Sequence, residues 1–256
     1  MGDAAPGLSA FLITQDEAHD LPACLESLSG LADEIVVVDS GSRDGTLEIA
    51  RARGARVIEH PMRGFGAQKQ FALEQTSREW ALSIDADERV SPALAAAIRA
   101  AIGSPAADAY EIRREIRFLG RTLRHGGLGD DWVLRLFRRG RGRFTDAMVH
   151  ERVIVEGRVA RLAGVLEHVP YRDVAEHAEK SRRYSELAAR EQFARGRRWR
   201  PWHTLRPGWE LIVRYGLRLG FLDGGPGWTW ARLSADSAAL RMRELRALTR
   251  AERRGA

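Results

Sequence analysis

Three carboxylates lie close together in residues 80–92, and among the residues of this sequence they have the clearest potential for chemistry. Residues 80–84 have the composition of a short buried strand, and Asp85, Asp87 and Glu88 follow it directly. Because an unpaired buried carboxylate is costly, we expect the acids at a rim that faces positive charge. Asp85 and Asp87 are two residues apart, so an extended backbone directs both to one face, where their oxygens suit Mg²⁺ or Mn²⁺.

The same segment also has a purely structural interpretation. Ser91 is a favoured helix N-cap residue and Pro92 a favoured first helical residue, so the acids could simply precede a helix. The Asp-x-Asp pattern is short and common, and it does not decide between the two interpretations by itself.

The preceding elements place further polar residues at the same edge. Residues 9–14, 34–39, 56–59 and 80–84 predict strands separated by helical segments. This alternation is typical of a parallel sheet with helices on both faces, whose ligand crevice lies at the carboxyl ends of the strands. We therefore expect a binding site there, formed by Thr14, Asp16, Glu17, Asp39, Ser40, Arg43, Asp85 and Asp87.

A glycine cradle for phosphates is absent from the sequence. Neither the dinucleotide pattern Gly-x-Gly-x-x-Gly nor the P-loop pattern ending in Gly-Lys-Ser/Thr occurs. A pyrophosphate group would then be held by other means. A divalent ion on Asp87, with Lys69 and Arg43 nearby, would serve.

Four segments carry a resemblance to a known family. They are residues 12–17 (Leu-Ile-Thr-Gln-Asp-Glu), 34–46 (Glu-Ile-Val-Val-Val-Asp-Ser-Gly-Ser-Arg-Asp-Gly-Thr), 64–69 (Gly-Phe-Gly-Ala-Gln-Lys) and 83–88 (Ser-Ile-Asp-Ala-Asp-Glu). They resemble the successive motifs of family 2 glycosyltransferases with the GT-A fold, and most closely those of bacterial lipopolysaccharide core β-glycosyltransferases. Asp16 departs from the usual Asn, which affects a turn contact.

The resemblance implies an inverting, metal-dependent transfer of a sugar from a UDP-sugar to a lipopolysaccharide core or other lipid-linked acceptor. A divalent cation, Mg²⁺ or Mn²⁺, stabilises the charge that develops on a nucleoside diphosphate leaving group. By this resemblance, Thr14, Glu17 and Asp39 bind the uridine, and Gln68 and Lys69 line the donor pocket. Asp85 faces the ribose or a metal-bound water, and Asp87 ligates the metal.

Residues 101–172 are expected to form the acceptor half. By the same resemblance, Asp131 is the catalytic base, preferred over Asp130, and His150 completes the metal site, with His168 as a substitute. Alternatively, Asp130 and Asp131 lie in an exposed turn without a catalytic role, and His150 is a core residue without a metal role. Arg135 either contacts an anionic acceptor or pairs with a nearby acid.

The C-terminal segment differs from the rest in charge. Residues 180–256 hold 18 Lys+Arg and 7 Asp+Glu, a net charge of +11, whereas residues 1–179 hold 23 and 28, a net charge of −5. Five of the seven tryptophans fall between residues 199 and 230, interleaved with arginines on predicted amphipathic helices. This pattern favours an anionic membrane surface as partner, and helices that only pack on the catalytic domain are the alternative.

We therefore predict a GT-A catalytic domain over residues 1–172, with its nucleotide-sugar half in 1–100, and a basic helical extension over 173–256. The single cysteine, Cys24, and the lack of an N-terminal signal or a long apolar run predict a cytoplasmic protein, peripheral on the inner membrane. Two other functions compete. One is a phosphatase of the haloacid dehalogenase type, although Arg89 stands where that family needs Thr or Val. The other is binding of nucleic acid, which we do not expect because no recognised motif accompanies the charge.

Overall fold

The computed structural model describes residues 6–145 and 152–255, and these form two compact units. Unit 1 contains the described residues of 1–114 and 131–168. Unit 2 contains residues 115–130 and the described residues from 169 onward.

The first half of unit 1 has the predicted alternation of strands and helices. In chain order its elements are β1 (Leu8–Thr14), α1 (Leu21–Leu28), β2 (Glu34–Asp39), α2 (Thr46–Ala52), β3 (Arg56–Glu59), α3 (Phe65–Glu74) and β4 (Trp80–Ser83). The four strands are parallel in the order β3-β2-β1-β4. Their register places Thr14 beside Asp39, so the carboxyl ends of β1 and β2 meet as predicted.

The later strands extend the same sheet with antiparallel pairs. The elements are β5 (Glu88–Val90), α4 (Pro92–Gly103), β6 (Ala109–Phe118), β7 (Arg121–Leu123), β8 (Asp131–Arg138), β9 (Gly142–Phe144), β10 (Val153–Val155) and β11 (Val159–His168). The sheet continues beyond β4 in the order β8-β6-β11-β5, whereas β9 and β10 pair separately. The predicted helix start is confirmed, because α4 begins at Pro92 and the Ser91 hydroxyl accepts a hydrogen bond from the Leu94 N–H at 3.3 Å; this capping does not by itself assign a role to the preceding acids.

The core of unit 1 lies on both faces of the sheet. Successive residues of β1 point to opposite faces, so Leu12 joins the cluster under α1 and α4, and Phe11 joins the cluster under α3. A strand buried on both faces explains the continuous apolar runs of β1 and β2. Gly164 lets β11 approach α4 closely: its φ is +91°, and a Cβ there would lie 2.6 Å from the Leu94 backbone nitrogen.

Unit 2 combines the outer end of β6 with a set of helices. Here β6 pairs with β7, and Phe118 packs edge-on against Trp230. The helices are α5 (Val174–Ala194), α6 (Arg206–Leu211) and α7 (Gly224–Gly255), with 3₁₀ turns at Pro201–Leu205 and Gly220–Asp223 and a π-helical turn at Ile212–Leu217. α5 packs along α7. No helix in the described ranges is both long and apolar enough to cross a membrane.

Asp223 has a structural role within unit 2. Its carboxylate accepts hydrogen bonds from the backbone N–H groups of Arg124 at 3.0 Å and His125 at 2.8 Å, and it contacts Nδ1 of His125 at 2.8 Å. Burial alone would raise the pKa of Asp223, but these hydrogen bonds lower it below its usual value. The 3₁₀ turn at Gly220–Asp223 therefore fastens the segment that follows β7.

Candidate active site

Asp39 and Thr14 form the first part of the site, at the ends of β2 and β1. The Asp39 carboxylate is fully buried and accepts four hydrogen bonds, from the N–H groups of Gly41 (2.9 Å) and Ser42 (2.8 Å) and the hydroxyls of Thr14 (2.8 Å) and Ser42 (2.5 Å). These bonds occupy the roughly four acceptor positions of a carboxylate. Any further donor must therefore replace one of them.

The turn after β1 carries Asp16, Glu17 and the contact to Arg43. Asp16 has a left-handed φ of 57°, which Asp and Asn tolerate better than most residues. Its carboxylate accepts the Arg43 N–H at 2.7 Å, so the departure from Asn preserves the turn contact. The Arg43 side chain is exposed, and half-buried Glu17 donates its N–H to the Thr46 hydroxyl at 2.9 Å.

Gln68 and Lys69 reach the site from the first turns of α3. Both side chains are buried. The Gln68 amide donates to the Ser40 hydroxyl at 3.1 Å and to the His60 carbonyl at 2.8 Å, so it ties the turn after β2 to the segment after β3. Lys69 points to the other side, where its Nζ lies 2.8 Å from Asp85 Oδ1.

Asp85 lies between two cations at the end of β4. Its second oxygen, Oδ2, accepts a hydrogen bond from Arg135 at 2.6 Å. Burial alone would raise the pKa of Asp85, but the charges of Arg135 and Lys69 hold it well below its usual range. Burial likewise opposes the charge of Arg135, and the two acids beside it raise its pKa. Asp85 is therefore ionised, with an oxygen committed to each cation.

Glu88 departs from the expectation that all three acids lie at a rim. It is 0% exposed. Its carboxylate accepts a hydrogen bond from Arg135 at 2.6 Å, lies 3.4 Å from Arg114, and also accepts the Asp85 N–H at 3.0 Å. These partners satisfy the buried charge, which is the condition under which a carboxylate can leave water. Arg135 accordingly pairs with local acids, which answers the question that the sequence left open.

Arg114 continues the pairing to Asp131. Its guanidinium contacts the Asp131 carboxylate at 2.8 Å, and Asp131 retains 37% exposure of its side chain. Six side chains thus alternate in sign, and we refer to them as the ion-pair series: Lys69, Asp85, Arg135, Glu88, Arg114 and Asp131. Sequence reasoning missed Arg114 and the burial of Glu88. A signal for such pairing did exist, because Arg135 stands inside an apolar strand and needs an acid there.

Asp87 lies outside the ion-pair series and faces His168 at the end of β11. Asp87 Oδ2 and His168 Nε2 are 3.2 Å apart, and both side chains are partly exposed. Octahedral ligands at about 2.1 Å from a divalent ion lie about 3.0 Å from one another, so this pair has a suitable spacing. In the ranges 6–145 and 152–255, no group of three or more His, Cys, Asp or Glu converges as a metal site. His150 lies outside the described residues.

A parallel β-α-β half with polar residues at its carboxyl edge, followed by antiparallel strands, defines an α/β protein of the GT-A class. The sequence model described as Glycosyl transferase family 2 matches residues 9–153, and this chain belongs to that family. It is therefore a glycosyltransferase, as its motifs predicted. The family match does not support the phosphatase alternative.

Relatives that align with about nine-tenths of the chain agree with this assignment. A lipopolysaccharide core biosynthesis glycosyltransferase, LpsC of Rhizobium meliloti (strain 1021), is 36% identical over 248 residues, which cover 89% of this chain and 90% of the relative. An uncharacterized glycosyltransferase from Rickettsia typhi is 27% identical, with 94% and 87% covered. Among solved structures, glucosyl-3-phosphoglycerate synthase from Mycobacterium tuberculosis, in complex with Mn²⁺, UDP and glucosyl-3-phosphoglycerate, is 26% identical over 44% of each chain, with a TM-score of 0.38.

Proposed function

We propose that this glycosyltransferase transfers a sugar from a UDP-sugar to a lipopolysaccharide core or other lipid-linked acceptor, with inversion and with a divalent metal. The observation that carries the proposal is the Asp87–His168 pair, an oxygen and a nitrogen donor 3.2 Å apart beside the ion-pair series. Mg²⁺ and similar ions bind through few protein ligands and complete their shell with substrate phosphates. The likeness to the Rhizobium enzyme over 90% of its length supports the acceptor class.

Uridine binding is assigned to Thr14, Glu17 and Asp39, with the base at Asp39. The N–H groups of Gly41 and Ser42 are fixed by the backbone, but a hydroxyl can rotate. A uracil N–H would therefore replace the hydroxyl of Thr14 or Ser42 on the Asp39 carboxylate. Gln68 would keep the two adjoining turns in position.

The diphosphate would lie between Lys69 and the exposed Arg43. When bound, Mg²⁺ or Mn²⁺ supplies the positive charge that stabilises the leaving diphosphate. Asp87 and His168 would hold it, and His150 remains a predicted ligand. Asp85 is better suited to orient Lys69 and to face the ribose, because both of its oxygens are already paired with cations.

Asp131 is the proposed base, with Asp130 as the alternative. Its ion pair with Arg114 fixes the orientation of the carboxylate, and its exposure leaves an oxygen accessible to an acceptor hydroxyl. Asp131 would take the proton of the acceptor hydroxyl as the oxygen attacks the anomeric carbon from the face opposite the nucleotide. The bond between that carbon and the diphosphate would break, UDP would leave, and the product would be inverted.

Calorimetric titration of UDP into the protein, first with Mn²⁺ and then with EDTA, tests the donor site. We expect binding that requires the metal and is lost in Asp87→Ala and weakened in His168→Ala. The exposed control Glu59→Gln should bind as the wild type does. Equal UDP affinity with Mn²⁺ and with EDTA would refute the metal role.

The base is tested separately, with Asp131→Asn. We expect UDP affinity to stay unchanged and the transfer rate to fall about 10²–10⁴-fold, the usual contribution of a general base. Near-normal turnover would move the assignment to Asp130.

We also propose that residues 173–256 hold the enzyme at the cytoplasmic face of a membrane, as a peripheral extension of a catalytic domain over 1–172. The net charge of +11 in residues 180–256 supports this proposal, because basic segments are attracted to anionic lipids.

A further inference from the structure

Arginines converge on one cavity within unit 2. The end of α5, the following segment, α6 and α7 enclose a volume of about 680 Å³, within the range of ligand-binding sites. The apolar floor includes Met242 and Leu245 of α7. The basic part of the lining consists of His203 and six arginines, namely Arg197, Arg198, Arg200, Arg206, Arg214 and Arg241.

Few carboxylates balance this charge. Arg214 pairs with Glu210 at 2.6 Å, and Arg198 pairs with Glu252 at 2.5 Å. Within the part of the chain that the structure describes, the other four arginines form no ion pair. The Nε of Arg241 is moreover buried without a hydrogen-bond partner. The four arginines without a carboxylate leave the cavity with an excess of positive charge, which an anionic ligand would neutralise.

The charge of the cavity also acts on His203. Burial lowers the pKa of this imidazole, and the neighbouring charges of Arg206 and Arg200 lower it further. The positive potential thus already disfavours one more cation. An anion in the cavity would relieve that repulsion.

Apolar side chains are exposed beside the arginines. Trp202, Leu205 and Trp209 are 58%, 72% and 56% exposed, and together with His203 and Arg206 they line a second hollow of about 410 Å³. The Arg200 guanidinium lies over the Trp202 ring at 5.1 Å, so the basic and apolar parts are adjacent. Phosphate next to hydrocarbon is the chemistry of a phospholipid at a membrane surface.

We propose that the cavity binds the phosphate group of an anionic membrane lipid, with Trp202, Leu205 and Trp209 in the bilayer interface. Planar guanidinium groups match phosphate oxygens in pairs, and tryptophan prefers the interfacial region. This site sharpens the membrane association proposed above into one cavity, and it uses no residue of the donor site.

Co-sedimentation with vesicles tests the proposal at physiological ionic strength, where charges beyond about 8 Å are screened. The probes are vesicles of phosphatidylcholine with and without phosphatidylglycerol. We expect Arg206→Gln/Arg241→Gln to weaken binding to the anionic vesicles about 30-fold. The control Arg243→Gln/Arg250→Gln removes the same charge from exposed positions of α7 and should weaken binding less than about 3-fold.

Because Arg241 is partly buried, its substitution could weaken binding by disturbing the fold, and a second variant separates the two causes. Arg197→Gln/Arg206→Gln changes only exposed residues and should reproduce the loss, with the thermal midpoint checked for each variant. Equal losses in the cavity and control variants would overturn the proposal in favour of diffuse attraction. Tight binding of inorganic pyrophosphate without vesicle binding would also overturn it, in favour of a soluble anion. UDP titration of the same samples tests the donor site independently, so either proposal can fail alone.

Discussion

Replacing Arg135 by Gln removes the cation shared by Asp85 and Glu88. Arg135 contacts both carboxylates at 2.6 Å, and its own side chain is 9% exposed. Breaking a buried pair by removing one partner typically costs about 3–5 kcal/mol, because an uncompensated charge remains. We expect this cost in the free energy of unfolding, measured with urea. In a domain of this size each kcal/mol corresponds to roughly 2–4 °C in the thermal midpoint.

The cost should depend on pH. In the wild type the lowered pKa of Asp85 contributes stability that is fully present well above the unfolded-state value of about 3.9 and declines as the pH falls through it. Arg135→Gln removes the charge that lowers the pKa of Asp85 most, so the variant should lose most of this contribution. The difference between the two proteins should therefore be larger at pH 7 than at pH 3, which lies below the unfolded-state value.

Two comparisons make the reasoning refutable. Arg138→Gln, on the same strand, removes a partly exposed arginine that pairs with the exposed Glu79, and should cost no more than about 1 kcal/mol. The double variant Glu88→Gln/Arg135→Gln should recover part of the loss, because no unpaired charge remains at Glu88. Equal costs for the two arginines, a loss that does not vary with pH, or an additive double variant would each show that the buried pairing has been misjudged.

Three further predictions concern other parts of the fold. Burial and the neighbouring acids, Glu88 first among them, raise the pKa of the Cys24 thiol well above its usual value. Its reaction with a disulfide reagent should therefore occur only as urea unfolds the protein, and fast labelling of the native protein would contradict this. Gly164→Ala should cost about 2–4 kcal/mol in a urea titration, through positive φ and contact with Leu94, and an unchanged midpoint would contradict the close packing. Asp223→Asn should lower the free energy of unfolding by about 2 kcal/mol at pH 7 and by progressively less as the pH falls below about 4, because protonation of Asp223 removes the stability that its lowered pKa reflects. A loss of stability that is the same at every pH would contradict the link to His125.

The sequence was sufficient for the architecture of the first hundred residues, for a physical reason. The apolar runs that became β1, β2 and β4 are local patterns, and the order of strands and helices leaves little choice of topology. The meeting of Thr14 and Asp39 follows directly from parallel register. Their hydrogen bond at 2.8 Å needed no information beyond that order.

The interior of the site required information that no local pattern contains. Glu88 is satisfied by arginines 47 and 26 residues away, and β5 is a three-residue strand whose partner, β11, lies far along the chain. The net charge of the C-terminal segment could be counted from the sequence. The convergence of Arg206 and Arg241 on one cavity depends on how α6 and α7 pack, and no periodicity predicts that.

The ion-pair series has a consequence for how this enzyme can change over evolutionary time. Each of its four inner members has two partners of opposite sign, so a single substitution unpairs two charges at once. Substitution of Asp131, at one end, is thereby coupled to substitution of Lys69, at the other, even though Asp131 lies on β8 and Lys69 on α3. We expect relatives to vary these positions in pairs. A redesign of the acceptor side that changes one charge of the series should succeed only when the opposite charge beside it is changed as well.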